Sequence, residues 1–308
     1  MFKMKRSISI ILIAFAFSVS AFAQTAMRSI TIRSEPSATV WLNGVRYGLT
    51  DDKGMLVLRN APAGRQTARV RANGFREVTK AILPAQKGTI DIPLVKTTDE
   101  GELAFQEAER LSLLDRAKAI EAYRNAIKLK PANVEAFVGM ARMMSDSGDF
   151  EGANTAIRQA LKLNPRHADA AVVDGRIQKL SGDETKAIAA FKKAITNGGG
   201  FQPEAYTGLG ILYQERAEAS AAESDAGNEL KNYTESARNF AVAVKQLGTA
   251  PDAPVVIQLL GLVYEQQKKY KEAIALYENF LRLFPDSPEA SAVASFIVQL
   301  KKQMVEQQ

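Results

Sequence analysis

The sequence of 308 residues contains no cysteine, one histidine and one tryptophan. Without cysteine there is no disulfide, no thiolate metal site, no cysteine nucleophile and no lipidated cysteine. Catalytic signatures are missing as well: there is no Gly-x-Ser-x-Gly, His-Glu-x-x-His, Walker loop or dinucleotide fingerprint. The one histidine, His167, stands in the polar stretch "NPRHAD" and reads as a surface or first-turn residue. No catalytic, cofactor-binding or metal-ligating residue is assigned, and the chain reads as no enzyme. An unrecognised hydrolase would need a deep polar pocket with convergent carboxylates.

Only one long apolar run is present, and it lies at the N-terminus. Lys3, Lys5 and Arg6 precede an apolar core from Ile8 to Val19, and Ala21-Phe22-Ala23 supplies small residues before Gln24. The run is too short for the ~20 residues that span a bilayer. Residues 1–23 are therefore expected to be a signal peptide cleaved near Ala23/Gln24, with no transmembrane segment in the mature chain. Export without disulfides fits a bacterial periplasm or exterior, and it sets nucleic acid aside as a partner.

Charge is unevenly distributed. Residues 24–97 hold twelve Lys/Arg against five Asp/Glu, whereas residues 98–308 hold 25 against 29. A basic first region suits an anionic envelope surface or glycan, or is simply a solvated strand surface.

Hydrophobic periodicity divides the chain at the same place. From Ser29 the period is two, in "ITIRS" and "ATVWLNG", and Asn43-Gly44 is a hairpin-turn dipeptide. "MLVLRNAPAG", "QTARVRANGF" and "GTIDIPLV" read as further strands between Gly/Pro/Asn punctuation. A compact β-sandwich over residues 27–96 is expected. Trp41 reads as packing within the core or between domains, and Asp51-Asp52 as a polar turn without a calcium-ligand series. In "SEPSATVWLNGVRYGLT" and "LVLRNAPAGRQTARVRANGF", Pro36, Ala38, Val40, Gly44, Gly48, Gly64, Gly74 and Phe75 fall on a pattern that resembles the PEGA domain. The "TDDKG" turn looks more like the related carboxypeptidase-regulatory sandwich. Either resemblance implies a non-catalytic accessory module.

After the polar joint at 97–101 the period becomes 3.6. Ala119, Ala153 and Ala187 recur at intervals of 34, as do Tyr123, Ile157 and Phe191, and Ala126, Ala160 and Ala194. "EAIALYENFLRLFP" repeats the internal spacing with Ala273, Tyr277, Phe280 and Pro285. This pattern resembles the tetratricopeptide repeat, a 34-residue helix–turn–helix. The expected fold is multidomain: a small all-β sandwich, then an all-α superhelix (an α-solenoid) over 102–286. About five helix–turn–helix units are read, at 100–133, 134–167, 168–201, 203–253 and 254–287, with a capping helix over 287–308. In the first unit Gln106 and Glu107 replace the expected Leu and Gly, which marks a cap or a docking surface for the strand module. "NGGGFQP" at 197–203 is a hinge or a permissive loop. Fourteen extra residues in the fourth unit are expected to lengthen both of its helices, with Gly227-Asn228 as the breaker. An apolar stripe of Ala292, Phe296, Ile297 and Leu300 is expected to cover the last repeat.

The resemblance implies a groove lined by first helices that binds protein or peptide. Its columns fall on Val138, Arg142 and Ser145, on Val172, Arg176 and Lys179, on Thr207, Ile211 and Gln214, and on Gln258, Leu262 and Glu265. Arg142 and Arg176 share a column, and fork-shaped donors in register suit an acidic peptide. The expected function is thus an exported scaffold for protein partners, with the basic module touching the envelope or another subunit. Envelope or glycan recognition by the module, with the repeats as spacer, is the alternative.

Overall fold

A computed structural model describes residues 28–61 and 64–306; the expected signal peptide lies outside them. Strands come first: β1 (Arg28–Arg33), β2 (Thr39–Leu42), β3 (Val45–Leu49), β4 (Met55–Ala61), β5 (Gln66–Arg71), β6 (Phe75–Arg76), β7 (Val78–Ile82), β8 (Gly88–Asp91) and β9 (Val95–Lys96). One sheet has the order β4-β1-β8, with β8 parallel to β1, and the other is the antiparallel β3-β2-β5-β7. A short β6–β9 ribbon stands apart. Alternation sends Ile30 and Ile32 of one sheet, and Val40, Leu42, Ala68 and Val70 of the other, into one apolar cluster. Asn43 and Gly44 both have positive φ (51° and 87°), the requirement of a type I′ hairpin turn. In the "TDDKG" turn the Asp51 carboxylate accepts from the Lys53 and Met55 amides, at 2.9 and 2.8 Å. Gly54 is obligatory there: a Cβ would lie 2.0 Å from the Ser34 carbonyl oxygen.

Helices follow in antiparallel pairs: α1 (Glu100–Ser112) with α2 (Arg116–Leu129), α3 (Val134–Asp146) with α4 (Phe150–Leu163), and α5 (Ala168–Leu180) with α6 (Glu184–Asn197). Then come α7 (Pro203–Ala222) with α8 (Ala226–Leu247), α9 (Ala253–Gln266) with α10 (Tyr270–Leu283), and the closing α11 (Ala290–Glu306). Side chains of Asp99, Asp115, Asn133, Asp149, Asp183 and Asp225 accept from first-turn amides, so the sequence itself sets these helix starts.

Small residues let the two helices of a pair touch. Ala119, Ala153, Ala187 and Ala273 are fully buried, and Tyr123, Ile157, Phe191 and Tyr277 fill the space one turn later. The aromatic rings press on glycines of first helices. A Cβ at Gly139 would meet Tyr123 at 2.4 Å, one at Gly175 would meet Phe191 at 2.7 Å, and one at Gly261 would meet Tyr277 at 2.1 Å. Helix α11 covers the last pair with Val293, Ile297 and Leu300. The stripe thus runs through Val293, not Ala292, which is exposed; Phe296 is half-exposed, its ring 6.1 Å from Tyr277.

Two irregularities take defined forms. Helices α7 and α8 have 20 and 22 residues, against 13 or 14 in the other pairs, so the fourth pair protrudes by about 10 Å. The break falls at Glu223–Asp225, where Ser224 has positive φ; Gly227 and Asn228 already belong to the first turn of α8. The Gly198–Phe201 turn is held in place. Gln246 donates to the Gly200 carbonyl (2.8 Å) and accepts from the Gln202 amide (2.9 Å). No described helix is long and apolar enough to cross a membrane.

Candidate partner-binding surface

First helices form one wall of the array, and the strand module meets the array at two junctions, one on α1 and one at the end of α8. At the first, the buried Gln106 of α1 accepts from the Gly74 amide and donates to the Phe75 carbonyl, both at 2.8 Å. A leucine there, as the repeat pattern expects, could do neither. Arg71 adds an ion pair to Glu109 at 3.3 Å while stacking over Phe105. At the second junction the Tyr47 hydroxyl donates to the Leu247 carbonyl (3.2 Å), and the Thr249 hydroxyl to the Asn60 carbonyl (3.2 Å). Burial pushes the Tyr47 hydroxyl up to about 12. The apolar cluster of the two sheets continues here into α7–α11, whereas the first three helix pairs hold separate clusters, one of which also reaches α7.

Between the junctions lies a cleft of about 1010 Å³. One side is the outer face of the β3-β2-β5-β7 sheet, where Trp41 lies half-buried beneath Arg69, 4.4 Å from ring centroid to guanidinium carbon. Pairing of Trp41 with both Arg69 and Arg46 in the strand ladders puts these side chains on one face. The other side comes from α1, α3, α5, α7 and α9 and the loops before them; Leu113, which follows α1, and Leu247, the last residue of α8, are the exceptions. The signals in sequence were the lone tryptophan and the basic surplus, but not which surface they would meet.

The twelve expected groove positions separate into distinct groups. Arg142 and Thr207 line the cleft. Val138, Ser145 and Val172 are buried, because adjacent first helices close over them and leave no surface for a partner. Arg176 and Lys179 are half-buried and already paired, with Asp146 (2.6 Å) and Glu215 (2.7 Å). Arg142 likewise pairs with Glu204 at 2.9 Å, and that carboxylate holds its pKa above the ordinary arginine value. The arginine column is thus neutralised from within. Ile211, Gln214, Gln258 and Glu265 are half-buried, the last accepting from the Tyr277 hydroxyl at 3.1 Å, and Leu262 is exposed.

Carboxylates were the residues missed. Glu109, Asp169, Glu204 and Asp252 all line the array side of the cleft. Glu109 is engaged by Arg71 and by the Tyr123 hydroxyl, Glu204 by Arg142, and Asp169 by the Gln202 side-chain Nε2 at 2.9 Å. Nearby, His167 caps α5: its Nδ1 accepts from the Ala170 amide at 3.1 Å, and Nε2 faces Glu135 at 3.5 Å. The Glu135 hydrogen bond raises the His167 pKa, against the lowering effect of burial. Among the described residues no group of three or more His, Asp and Glu could hold a metal ion.

Family models for the tetratricopeptide repeat match residues 145–200 and 255–287. No curated protein matches the sequence. Among solved structures the chain is similar to yeast Tom70, at 17% identity and a TM-score of 0.53, over 67% of this chain and 41% of that one. It is similar also to the APC/C hetero-tetramer Cut9–Hcn1, at 15% identity and a TM-score of 0.50, over 67% and 37%. A thermophilic TPR protein of Thermus thermophilus aligns at 16% identity and a TM-score of 0.48, over 64% and 99%. The chain spans less than half the length of the first two, and such identities speak for fold alone. Repeat spacing, helix pairing and family models agree that this chain carries tetratricopeptide repeats in a helical solenoid.

Proposed function

We propose that this chain is a non-enzymatic scaffold that engages a protein partner along the first-helix side of its repeats. The observation that carries this reading is the composition of the cleft wall, which draws on α1, α3, α5, α7 and α9 together. A surface built from five helices serves one large contact better than the chemistry of a small substrate. The cleft's Glu109 and Glu204 are each engaged by an arginine, so neither is free for acid–base work. The Lys/Arg-led apolar segment at the N-terminus supports export to a bacterial periplasm or exterior. The strand module fits a PEGA-type accessory domain, and its basic surplus suits a contact with the envelope or a second subunit. Glycan stacking on Trp41 has less support, because Arg69 already covers the ring.

The test is photo-crosslinking in cells. A photoreactive residue replaces Thr207, inside the cleft, or Lys193, exposed on the second helix α6. The same protein partner captured from position 207 and not from 193 is expected. Capture only from 193, or none from 207, contradicts the reading.

A further inference from the structure

The two sides of the cleft carry opposite charge. Arg46, Arg69 and Arg71 line the strand side with Glu35, and Glu77 of the same module pairs with Arg71 at 2.8 Å and, more loosely, with Arg69 at 4.0 Å, which leaves Arg46 unpaired; on the array side Glu109, Asp169, Glu204 and Asp252 outnumber Arg110 and Arg142. Unequal charge along the sequence thus becomes unequal charge across a gap. Among the described residues the ion pair across the gap is Arg71 with Glu109, at one end, while Arg69 also lowers the pKa of Glu135 on α3 through its charge. Among the described residues the side chains of Arg46 and Asp252 have no hydrogen-bond or ion-pair partner, and that of Asp169 has only the Gln202 side-chain Nε2 as a hydrogen-bond donor. Direct pairing of the two sides would have closed the gap; instead about 1010 Å³ stays open, the upper end of the range for ligand pockets.

An extended peptide sends successive side chains to opposite faces. Laid between these sides, it directs one set toward Arg46 and Arg69 and the other toward Asp169 and Asp252. We infer that the cleft is a site for an extended segment of a partner protein whose alternate side chains are acidic and basic. Resting on the scaffold reading above, this inference names what the surface recognises. It also replaces the acidic peptide that the arginine column suggested: Arg142 and Arg176 are taken up by Glu204 and Asp146, so a uniformly acidic segment would meet unopposed carboxylates. Trp41 lies among the strand-side arginines and offers its remaining edge to the segment's aliphatic stems.

The single tryptophan makes the test direct. The full chain is titrated with an eight-residue peptide alternating Lys and Glu, and with an isomer of four Lys followed by four Glu. Net charge and composition are equal in the two. Trp41 emission is expected to respond saturably to the alternating peptide, and at least several-fold more weakly to the blocked one. Arg46→Gln and Asp252→Asn, both at exposed positions, should each weaken the alternating peptide about threefold, the worth of an exposed ion pair. Equal binding of the isomers, no response to either, or full affinity in the Arg46→Gln/Asp252→Asn double variant overturns the inference. A partner crosslinked from position 207 whose capture ignores that double variant would leave the scaffold reading intact and remove this one.

Discussion

Replacing Gly175 by alanine should destabilise the protein, although glycine-to-alanine in a helix interior ordinarily gains about 1 kcal/mol. Gly175 lies inside α5, where the new Cβ would sit 2.7, 2.8 and 3.0 Å from three ring atoms of Phe191. The ring cannot retreat. It is 3% exposed, and its far edge is already against Gly208 of α7, where a Cβ would stand 2.4 Å from Cζ. Overpacking of this kind costs about 1–3 kcal/mol, and a ring pinched from two helices belongs at the upper end. Subtracting the gain in propensity leaves about 2 kcal/mol, a fall in Tm of roughly 3 °C for a chain of this size. Gly227→Ala serves as the reference, since its nearest neighbour would be Asp225 Oδ1 at 3.6 Å, and it should be neutral or stabilising. Circular dichroism melts of both variants decide the matter. The double variant Gly175→Ala/Phe191→Leu should recover part of the loss, because a smaller side chain relieves the clash. A Tm for Gly175→Ala equal to or above wild type would refute the proposed packing of α5, α6 and α7.

Other consequences are open to simpler measurements. Gln106→Leu leaves the Gly74 amide and Phe75 carbonyl without their partner; about 1–3 kcal/mol is lost per buried group, and amide exchange at Gly74 should quicken while α3–α6 stay protected. Ala153→Leu forces a branched side chain into a fully buried column, so a destabilisation of about 1–3 kcal/mol is expected in chemical denaturation. His167 gives the only histidine resonance, and its titration should lie above the ordinary value and move down in Glu135→Gln, since the Glu135 hydrogen bond raises it. Because the folded pKa is the higher one, the pair's contribution is complete below the unfolded value near 6.5 and fades as pH rises through the folded pKa. Gln246→Ala should loosen the Gly198–Phe201 turn alone, seen as faster exchange at the Gly200 and Gln202 amides.

Helix pairing was legible in the sequence because close packing leaves a periodic trace. Ala119, Ala153 and Ala187 recur where backbones approach, and all three are fully buried. Helix starts carry a similar trace, which the apolar columns do not include: Asp115, Asp149 and Asp183 precede their helices at the same spacing. Strand β7 was not singled out: with Lys80 at its centre and only Ile82 buried, it has little apolar alternation. The groove columns fared unevenly for a physical reason. A column assigns a position on a helix, but the neighbouring first helix decides whether Val138 or Val172 reaches solvent. Likewise Arg142 is neutralised by a glutamate 62 residues away, which no local pattern displays. Gln106 was marked by its departure from the repeat pattern; what it touches, the Gly74–Phe75 turn, is fixed only by the tertiary fold.

Docking of the strand module against the helical array at both junctions is the claim from which the cleft and its chemistry follow. A chain without cysteine allows it to be measured by placing spin labels at Arg59→Cys and Pro251→Cys, exposed positions that flank the Asn60–Thr249 contact. Strong dipolar broadening, insensitive to dilution of the protein, is the predicted result. Unbroadened spectra, with the module swinging freely on residues 97–101, would contradict the account.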